Sequence, residues 1–358
     1  MQKLFRQCLT VSAANHFTSF VVRRVRTLTR IRVYAIRQKM IAPFLVPSLF
    51  YVLTSSNARS APEQSRLTIA VITPSNASSA SPGSSATRGV RLGAAEAKQT
   101  ASLFGGDIDL LEANAGRSPV VVATELLSRR QVQVLIGTSP DDAEALSRFA
   151  ESRRILFFNI ASRAQALRRG CRRFTFHVEA TDAMYANAAR WPVAGGLTTG
   201  RDRPAPLDSV VLWDLTLQRY GASQINDRYG ARFGVGMDGA AWAGWVAVKI
   251  AAEAALRARS SDPSRLLAYL ESPTAQFDGH KGWPLTFRTA EHQLRQPLYV
   301  VRWAEGASSP ARELRDVPDL RALSSGTEKS NGAERPNQVL DRLIASPTAP
   351  RCSWAHAQ

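Results

Sequence analysis

The chain has 358 residues, 44% of them hydrophobic, which is enough for two ordinary domains and a sizeable core. Charged residues at 21% and aromatics at 8% give a globular balance and exclude a disordered chain. The formal charge of +17 first suggests nucleic acid or a membrane surface, but nine Lys and Arg lie between Met1 and Lys39, ahead of the first acid, Glu63; without them the body carries +8.

Nucleic acid is not expected as a partner, because no basic stripe interleaved with aromatics follows that leader. Met40 to Thr54 is an uncharged apolar run preceded by Arg37 and Lys39 and followed by the small-x-small pattern Ser56-Asn57-Ala58. That order of regions predicts a secretory signal and a periplasmic location. The run is about 15 residues, short of the ~20 of a spanning helix, and holds Pro43 and Pro47. An organelle transit peptide, an uncleaved anchor or a buried strand are the other readings of this Arg-rich leader. Arg23-Arg24 lacks the surroundings of an export motif. Cys8 belongs to the leader. Cys171 and Cys352 remain, an even pair that suits a disulfide in an exported chain, with two lone thiols as the alternative.

From Leu67 a rhythm begins. Leu67 to Thr73 reads as a strand, Ser75 to Thr87 as a loop of small residues, and Arg88 to Leu103 as a helix, with Val90, Ala94, Ala97 and Ala101 at helical spacing. Asp107 to Glu112 is a second strand and Val120 to Arg130 a second helix, introduced by Pro119. Val132 to Thr138, Asp141 to Arg153 and Ile155 to Ile160 continue as strand, helix and strand. Near-continuous apolar strands alternating with amphipathic helices predict an α/β, doubly wound parallel sheet covered on both faces. In such a sheet ligands bind beyond the carboxyl ends of the strands. The loops there hold the first-loop serines, Gly137-Thr138-Ser139-Pro140-Asp141 and Asn159-Ile160-Ala161-Ser162. Hydroxyls and helix N-termini suit a bound carboxylate or other anion; ordinary turn and N-cap chemistry is the plainer reading.

The ordered segments resemble type I periplasmic solute-binding proteins of the branched-chain amino acid (Leu/Ile/Val) ABC transporter class. The resemblance rests on Arg88 to Glu96 after the first strand, Val134 to Ser139, Phe158 to Ser162, Trp242 to Leu256, Phe277 to Gly282 with Leu285 to Arg288, and Gln296 to Val301. It covers roughly residues 66–303, and no single motif in it is highly specific. The closing segment resembles a subset linked with quinoprotein alcohol oxidation. The resemblance implies a binding protein without catalysis or cofactor, which captures a small solute such as a branched-chain amino acid and hands it to a membrane permease. By position it implies that Thr138, Ser139, Ala161, Ser162 and, less directly, Tyr185 hold the ligand. It also pairs Cys171 with Cys352. One departure stands out. Pro192 to Leu197 arrives where a second lobe should continue, so a complete first lobe is expected with a reduced second lobe, and no ammonium-binding residue is assigned. The expected divisions are a leader at 1–61, the first lobe at 62–190, the second-lobe remnant with return helices at 191–303, and a polar tail at 304–358.

Other signals are discounted. Gly234 to Gly239 spells GxGxxG but does not follow a strand at the start of a βαβ unit. A nucleotide-using enzyme is kept as the alternative on that motif, and a sensory or interaction protein on the same fold as another. His177, His280, His292 and His356 show no metal or triad spacing, so no metal is expected. Asp278 and His280 could be imagined as a catalytic pair, but no nucleophile is marked. The tryptophans read mostly as core.

Overall fold

The computed structural model describes residues 66–75, 78–116, 118–191, 210–303, 312–318, 335–345 and 352–356. The leader and its signal, Asn76 of the first loop, Pro192 to Leu197 and most of Ser324 to Asn337 lie outside the described residues.

The first strand, β1 (Arg66–Thr73), is a run of apolar residues because both of its faces are covered. Ile69 and Val71 join one cluster with Val90, Val134 and Phe158; Ala70 and Ile72 join another with Ala123, Leu135 and Phe149. This is the period of two expected of side chains on a pleated strand. Each such fully buried aliphatic side chain contributes about 1.5–3 kcal/mol. Four more strands follow, β2 (Asp107–Asn114), β3 (Val134–Gly137), β4 (Leu156–Asn159) and β5 (Thr175–His177), in the all-parallel order β2-β1-β3-β4-β5. Register pairs Ile69 with Val134, Val134 with Leu156 and Phe158 with Phe176. Helices α1 (Pro82–Ser102), α2 (Pro119–Arg129), α3 (Ala143–Arg153), α4 (Gln165–Arg169) and α5 (Asp182–Ala189) connect them.

Helix α1 starts at Pro82, well before the Arg88 that side-chain spacing suggests. Ser81 caps it by accepting the Ser84 N–H, and Pro82 occupies the first turn. The Gly-Ser-Ser stretch is a poor helix former by itself. It is helical because Gly83, Ser85, Ala86 and Thr87 are buried, so packing overrides propensity.

The remaining elements are β6 (Val210–Val211), α6 (Ala222–Phe233), α7 (Gly239–Ala258), α8 (Pro263–Glu271), β7 (Thr286–Phe287), β8 (Leu294–Arg295), β9 (Leu298–Trp303), β10 (Arg312–Val317) and α9 (Pro336–Ile344). Among the described residues the second lobe is reduced. Its sheet is the three-stranded antiparallel order β10-β9-β6, beside a β7-β8 pair. Helix α7 is buried nearly all round, as a helix between two layers must be. It packs along α1 and places Trp242 and Trp245 in the core, where their indole N–H groups donate to the Gly279 carbonyl at 3.0 Å and the Glu96 carboxylate at 2.8 Å. The stretch 304–358 does more than trail as a tail. It supplies β10, and α9 buries Val339, Leu340, Leu343 and Ile344 on one side while Asp341 pairs with Arg295 at 2.7 Å. Cys352, near the end of the chain, is bonded to Cys171.

A buried charge network lies under the C-terminal segment. Glu271 accepts two hydrogen bonds from Arg173 and sits 3.3 Å from His292. Burial alone would raise this carboxyl, but Arg173 and His292 outweigh it and hold it at about 2. Glu291 is the opposite case. It is 4% exposed, and its Oε2 has no hydrogen-bond partner. Burial raises it to about 7 against the pull of Arg288, with Asp341 adding to the rise and Arg295 and Arg168 opposing it. A carboxyl that binds its proton more tightly in the folded state costs stability as pH rises from its unfolded value to its folded one. The chain is therefore expected to lose on the order of 2–3 kcal/mol between about pH 4.5 and 7 through this group, and Glu291→Gln should flatten that slope. Melting temperature against pH for both proteins checks it; equal slopes would refute the assignment.

Candidate functional site

A cavity of about 1060 Å³ opens at the carboxyl ends of the parallel strands. This is the place where loops gather in an open α/β sheet. One wall comes from the first lobe. After β1, Pro74 and Ser75 line it, with the Ser75 hydroxyl held on the Gly116 carbonyl at 2.6 Å. The N-terminus of α1 follows, with Ser81, Pro82 and Gly83 in the wall.

Thr138 and Ser139 follow β3. The backbone N–H of Thr138 donates to the Ile72 carbonyl at 3.1 Å and its hydroxyl to the same oxygen at 3.3 Å. Ser139 Oγ accepts the Asp141 N–H at 3.3 Å, an ST turn that brings Asp141 and Asp142 to the rim. Burial and the neighbouring Asp141 push the Asp142 carboxyl up.

The loop after β4 is shaped by Asn159, whose Oδ1 accepts the Ser162 N–H at 2.9 Å and whose amide donates to the Ser162 carbonyl at 2.8 Å. Ile160, Ala161 and Arg163 line the cavity as a result. Ser162 does not. It is 5% exposed, and its hydroxyl accepts the Ala164 N–H at 3.4 Å. Of the expected ligand-binding residues, the structure thus brings Thr138, Ser139, Ala161 and Tyr185 to one cavity and turns Ser162 into the loop beneath it. Arg168 braces that loop from below. Fully buried, it donates to the Ser162 carbonyl at 2.7 Å, the Glu179 carbonyl at 2.6 Å and Gln293 at 3.1 Å. Burial lowers its guanidinium to about 10, which leaves it charged at neutral pH.

Glu179, Arg163 and Tyr185 form a cluster that sequence reasoning did not assemble. The Tyr185 hydroxyl donates to Glu179 Oε1 at 2.8 Å, and the Arg163 guanidinium lies 3.9 Å from the centre of the Tyr185 ring. Burial pushes the Glu179 carboxyl up, and Arg163 and the Tyr185 hydroxyl pull it back. The signal was available: Glu179 stands two residues beyond the end of β5, and Arg163 stands in the loop after β4.

The facing wall comes from β6 and the chain around the start of α7: Val211, Leu212, Trp213, Asp214, Met237 and Asp238. Trp213 stacks on Trp242 at 5.9 Å and donates its indole N–H to Asn226 at 2.9 Å. Lys281, 2% exposed, holds this wall from behind. Its ammonium donates to the carbonyls of Leu212 at 2.8 Å and Pro297 at 3.1 Å and to Gln296 at 2.9 Å, over the Trp242 ring. Asp238 caps α7 by accepting the Ala241 N–H at 2.8 Å and also accepts the Ser85 hydroxyl at 2.7 Å, so it joins the two walls.

Gly234 to Gly239 links α6 to α7. A helix and not a strand precedes it, so the setting of a dinucleotide fingerprint is missing. Asp278 and His280 lie apart from the cavity; His280 makes its closest ring contact, at 3.0 Å, with the Tyr220 carbonyl. No group of three or more His, Cys, Asp or Glu is arranged to hold a metal among the described residues, and none of their helices is long and apolar enough to cross a membrane.

A parallel sheet with its cavity at the strand ends, faced by a second smaller sheet, is the arrangement of the periplasmic binding protein fold. Residues 66–199 match the family described as periplasmic binding protein. No curated protein matches the sequence. A branched-chain amino acid ABC transporter periplasmic ligand-binding protein of Burkholderia xenovorans superposes with a TM-score of 0.60 at 12% identity, over 81% of this chain and 100% of that one. A branched-chain amino acid transporter substrate-binding protein of Streptococcus pneumoniae, in complex with isoleucine, gives 0.54 at 14% identity, over 70% and 99%. An ABC transporter solute-binding protein of Rhodopseudomonas palustris, in complex with benzoate, gives 0.53 at 15% identity, over 68% and 95%. The chain has the fold of type I periplasmic binding proteins, and it resembles structures of the branched-chain amino acid class.

Proposed function

We propose that this chain is the substrate-binding component of an ABC importer, working in the periplasm, where it captures a small solute without catalysis and delivers it to a membrane permease. The observation that carries this reading is the cavity itself. It lies at the carboxyl ends of the strands, and Thr138, Ser139, Ala161 and Tyr185 meet in its wall. Its volume of about 1060 Å³ leaves room for an amino acid or an aromatic acid with water. Apolar Ile160, Val211 and Trp213 alternate with hydroxyls and carboxylates, the mixed lining that fixes a small solute by a few polar contacts. The solutes bound by structural neighbours, isoleucine in one and benzoate in another, support the same class of ligand.

Thermal unfolding of the full chain tests this against a panel of amino acids, small carboxylates, alcohols, aldehydes and nucleotides. A ligand at a hundred times its Kd adds about 2.7 kcal/mol to the native state. A raised Tm with a small solute, reduced in Ser139→Ala, is the expected result. A shift with nucleotides alone, or with nothing in the panel, would overturn the reading.

A further inference from the structure

The five parallel strands begin at the edge of the sheet away from the cavity, and basic residues gather there. Arg66 opens β1, opposite Asp107 at the start of β2. Arg129 and Arg130 end α2 ahead of β3, and Arg153 and Arg154 end α3 ahead of β4. Lys98 reaches the same edge from α1. Arg66 and Lys98 share Asp107, at 3.3 and 3.2 Å, and Arg130 lies 3.9 Å from Asp109. Arg129, Arg153 and Arg154 are exposed and have no ion pair among the described residues. Cations at helix C-termini suit the helix dipole. That effect favours the arginines, but not the placement of Leu103 and Phe104 beside them, in the turn between α1 and β2. These two are 79% and 72% exposed, more than any other large apolar side chain of the described residues. The turn is firmly bonded, since the Phe104 and Gly106 N–H groups both donate to the Ala101 carbonyl at 2.9 Å. A fixed backbone thus holds two adjacent apolar side chains in water at a cationic edge.

We infer that this edge docks on an anionic phospholipid surface, with Leu103 and Phe104 entering the headgroup boundary and the arginines on the lipid phosphates. An anionic interface holds a basic surface with a small apolar tip: the apolar residues enter it, and each nearby Lys or Arg adds about fivefold to partitioning. Charge argues against a second copy on the same face, because two cationic edges repel. A protein partner fits less well than lipid, because a stable protein interface buries about 800 Å² on each side and the apolar part here is two side chains. The length of chain ahead points the same way. Residues 55–65 separate the uncharged run Met40 to Thr54 from Arg66, a span of roughly 40 Å at full extension. With that run in a bilayer, this edge of the fold is within reach of lipid. The edge and the cavity share no residue, so docking is independent of what the cavity binds. Docking here turns the carboxyl ends of the strands, and the cavity with them, away from the bilayer. On the proposed importer role, solute is captured in the docked state and delivery to a permease requires release.

The test is hydrogen exchange of the full chain with vesicles of equimolar phosphatidylglycerol and phosphatidylcholine, with vesicles of phosphatidylcholine alone, and with soluble polyglutamate. The leader has its own apolar run and arginines and is expected to bind vesicles by itself, so the readout is local exchange and not total binding. Anionic vesicles should slow the amides of residues 103–106 and 129–131 several-fold, and leave those of Thr138 to Asp141 beside the cavity unchanged. Added salt should reverse the slowing. Leu103→Ser with Phe104→Ser should abolish it at 103–106; both side chains are exposed, and a thermal melt verifies that the variant folds. Arg129→Gln with Arg130→Gln should raise the share of anionic lipid needed for it. Lipid docking is overturned if residues 103–106 are not slowed, if phosphatidylcholine alone slows them equally, or if the slowing survives the two serines. Slowing by polyglutamate as strong as by anionic vesicles also overturns it and marks an acidic protein as the partner.

Discussion

Gly89→Ala is expected to lower the stability of the fold by about 3 kcal/mol and its Tm by about 6–12 °C. Along their shared length α1 and α7 touch backbone to backbone. A Cβ at Gly89 would stand 1.8 Å from the Ala241 carbonyl oxygen, and one at Gly244 would stand 2.3 Å from that of Ala86. Neither contact can be relieved by turning a side chain, because each involves a main-chain atom of the neighbouring helix. The helices must part, and the hydrogen bond from Trp245 to Glu96 that joins them must adjust. Alanine is the better helix former by about 1 kcal/mol, which offsets only part of the clash. The matched control is Gly230→Ala in α6, where the nearest atom to an added Cβ is 4.0 Å away. There the substitution should be neutral or stabilise by about 0.5–1 kcal/mol. Thermal or denaturant unfolding of both variants checks the pair. Equal behaviour would show that the helices do not approach so closely.

Reduction of the Cys171–Cys352 bridge is expected to cost about 3–5 kcal/mol. The bond closes a loop with a sequence separation of 181, and the chain-entropy ceiling for so long a loop is about 5 kcal/mol. The loss should fall below that ceiling, because other contacts hold the end of the chain. The Cys352 N–H donates to the Ala290 carbonyl at 3.1 Å and the Trp354 indole to Thr289 at 3.2 Å. Melting the chain with and without reductant, with Cys352→Ser as the genetic equivalent, reads this out. An unchanged Tm in both would mean that the bridge contributes nothing.

The first lobe was legible because its strands are apolar on both faces. Leu67 to Thr73 and Val132 to Thr138 announce themselves as buried strands without any knowledge of their neighbours. The start of α1 was not legible, since Gly83, Ser84 and Ser85 favour a loop and become helical only by packing. The rule that sites gather at strand ends located the loops of Thr138, Ser139 and Ala161, and only the family resemblance singled out those residues within them. Ser162 obeys the same rule but points away, a rotation set by two hydrogen bonds between the Asn159 side chain and the Ser162 backbone that no spacing encodes. The facing wall was beyond reach for a different reason. Trp213 and Asp238 come from segments far along the chain, and only the return of α7 against α1 brings them opposite Thr138. The stretch 304–358 looked like a tail because its hydrophobic residues are few. Val339, Leu340, Leu343 and Ile344 are enough to dock one short helix.

The backbone contact between α1 and α7 also bears on how the site meets its ligand. The N-terminus of α1 forms part of one wall and the N-terminus of α7 part of the other, and the Ser85–Asp238 hydrogen bond ties the two close to the cavity. The N-terminal ends of the two helices are thus held together beside the cavity. On the proposed role, a solute would meet this part of the wall already ordered, so less of its contact energy would go into ordering the chain. The corresponding loss would be adaptability, with selectivity falling to the side chains that line the cavity.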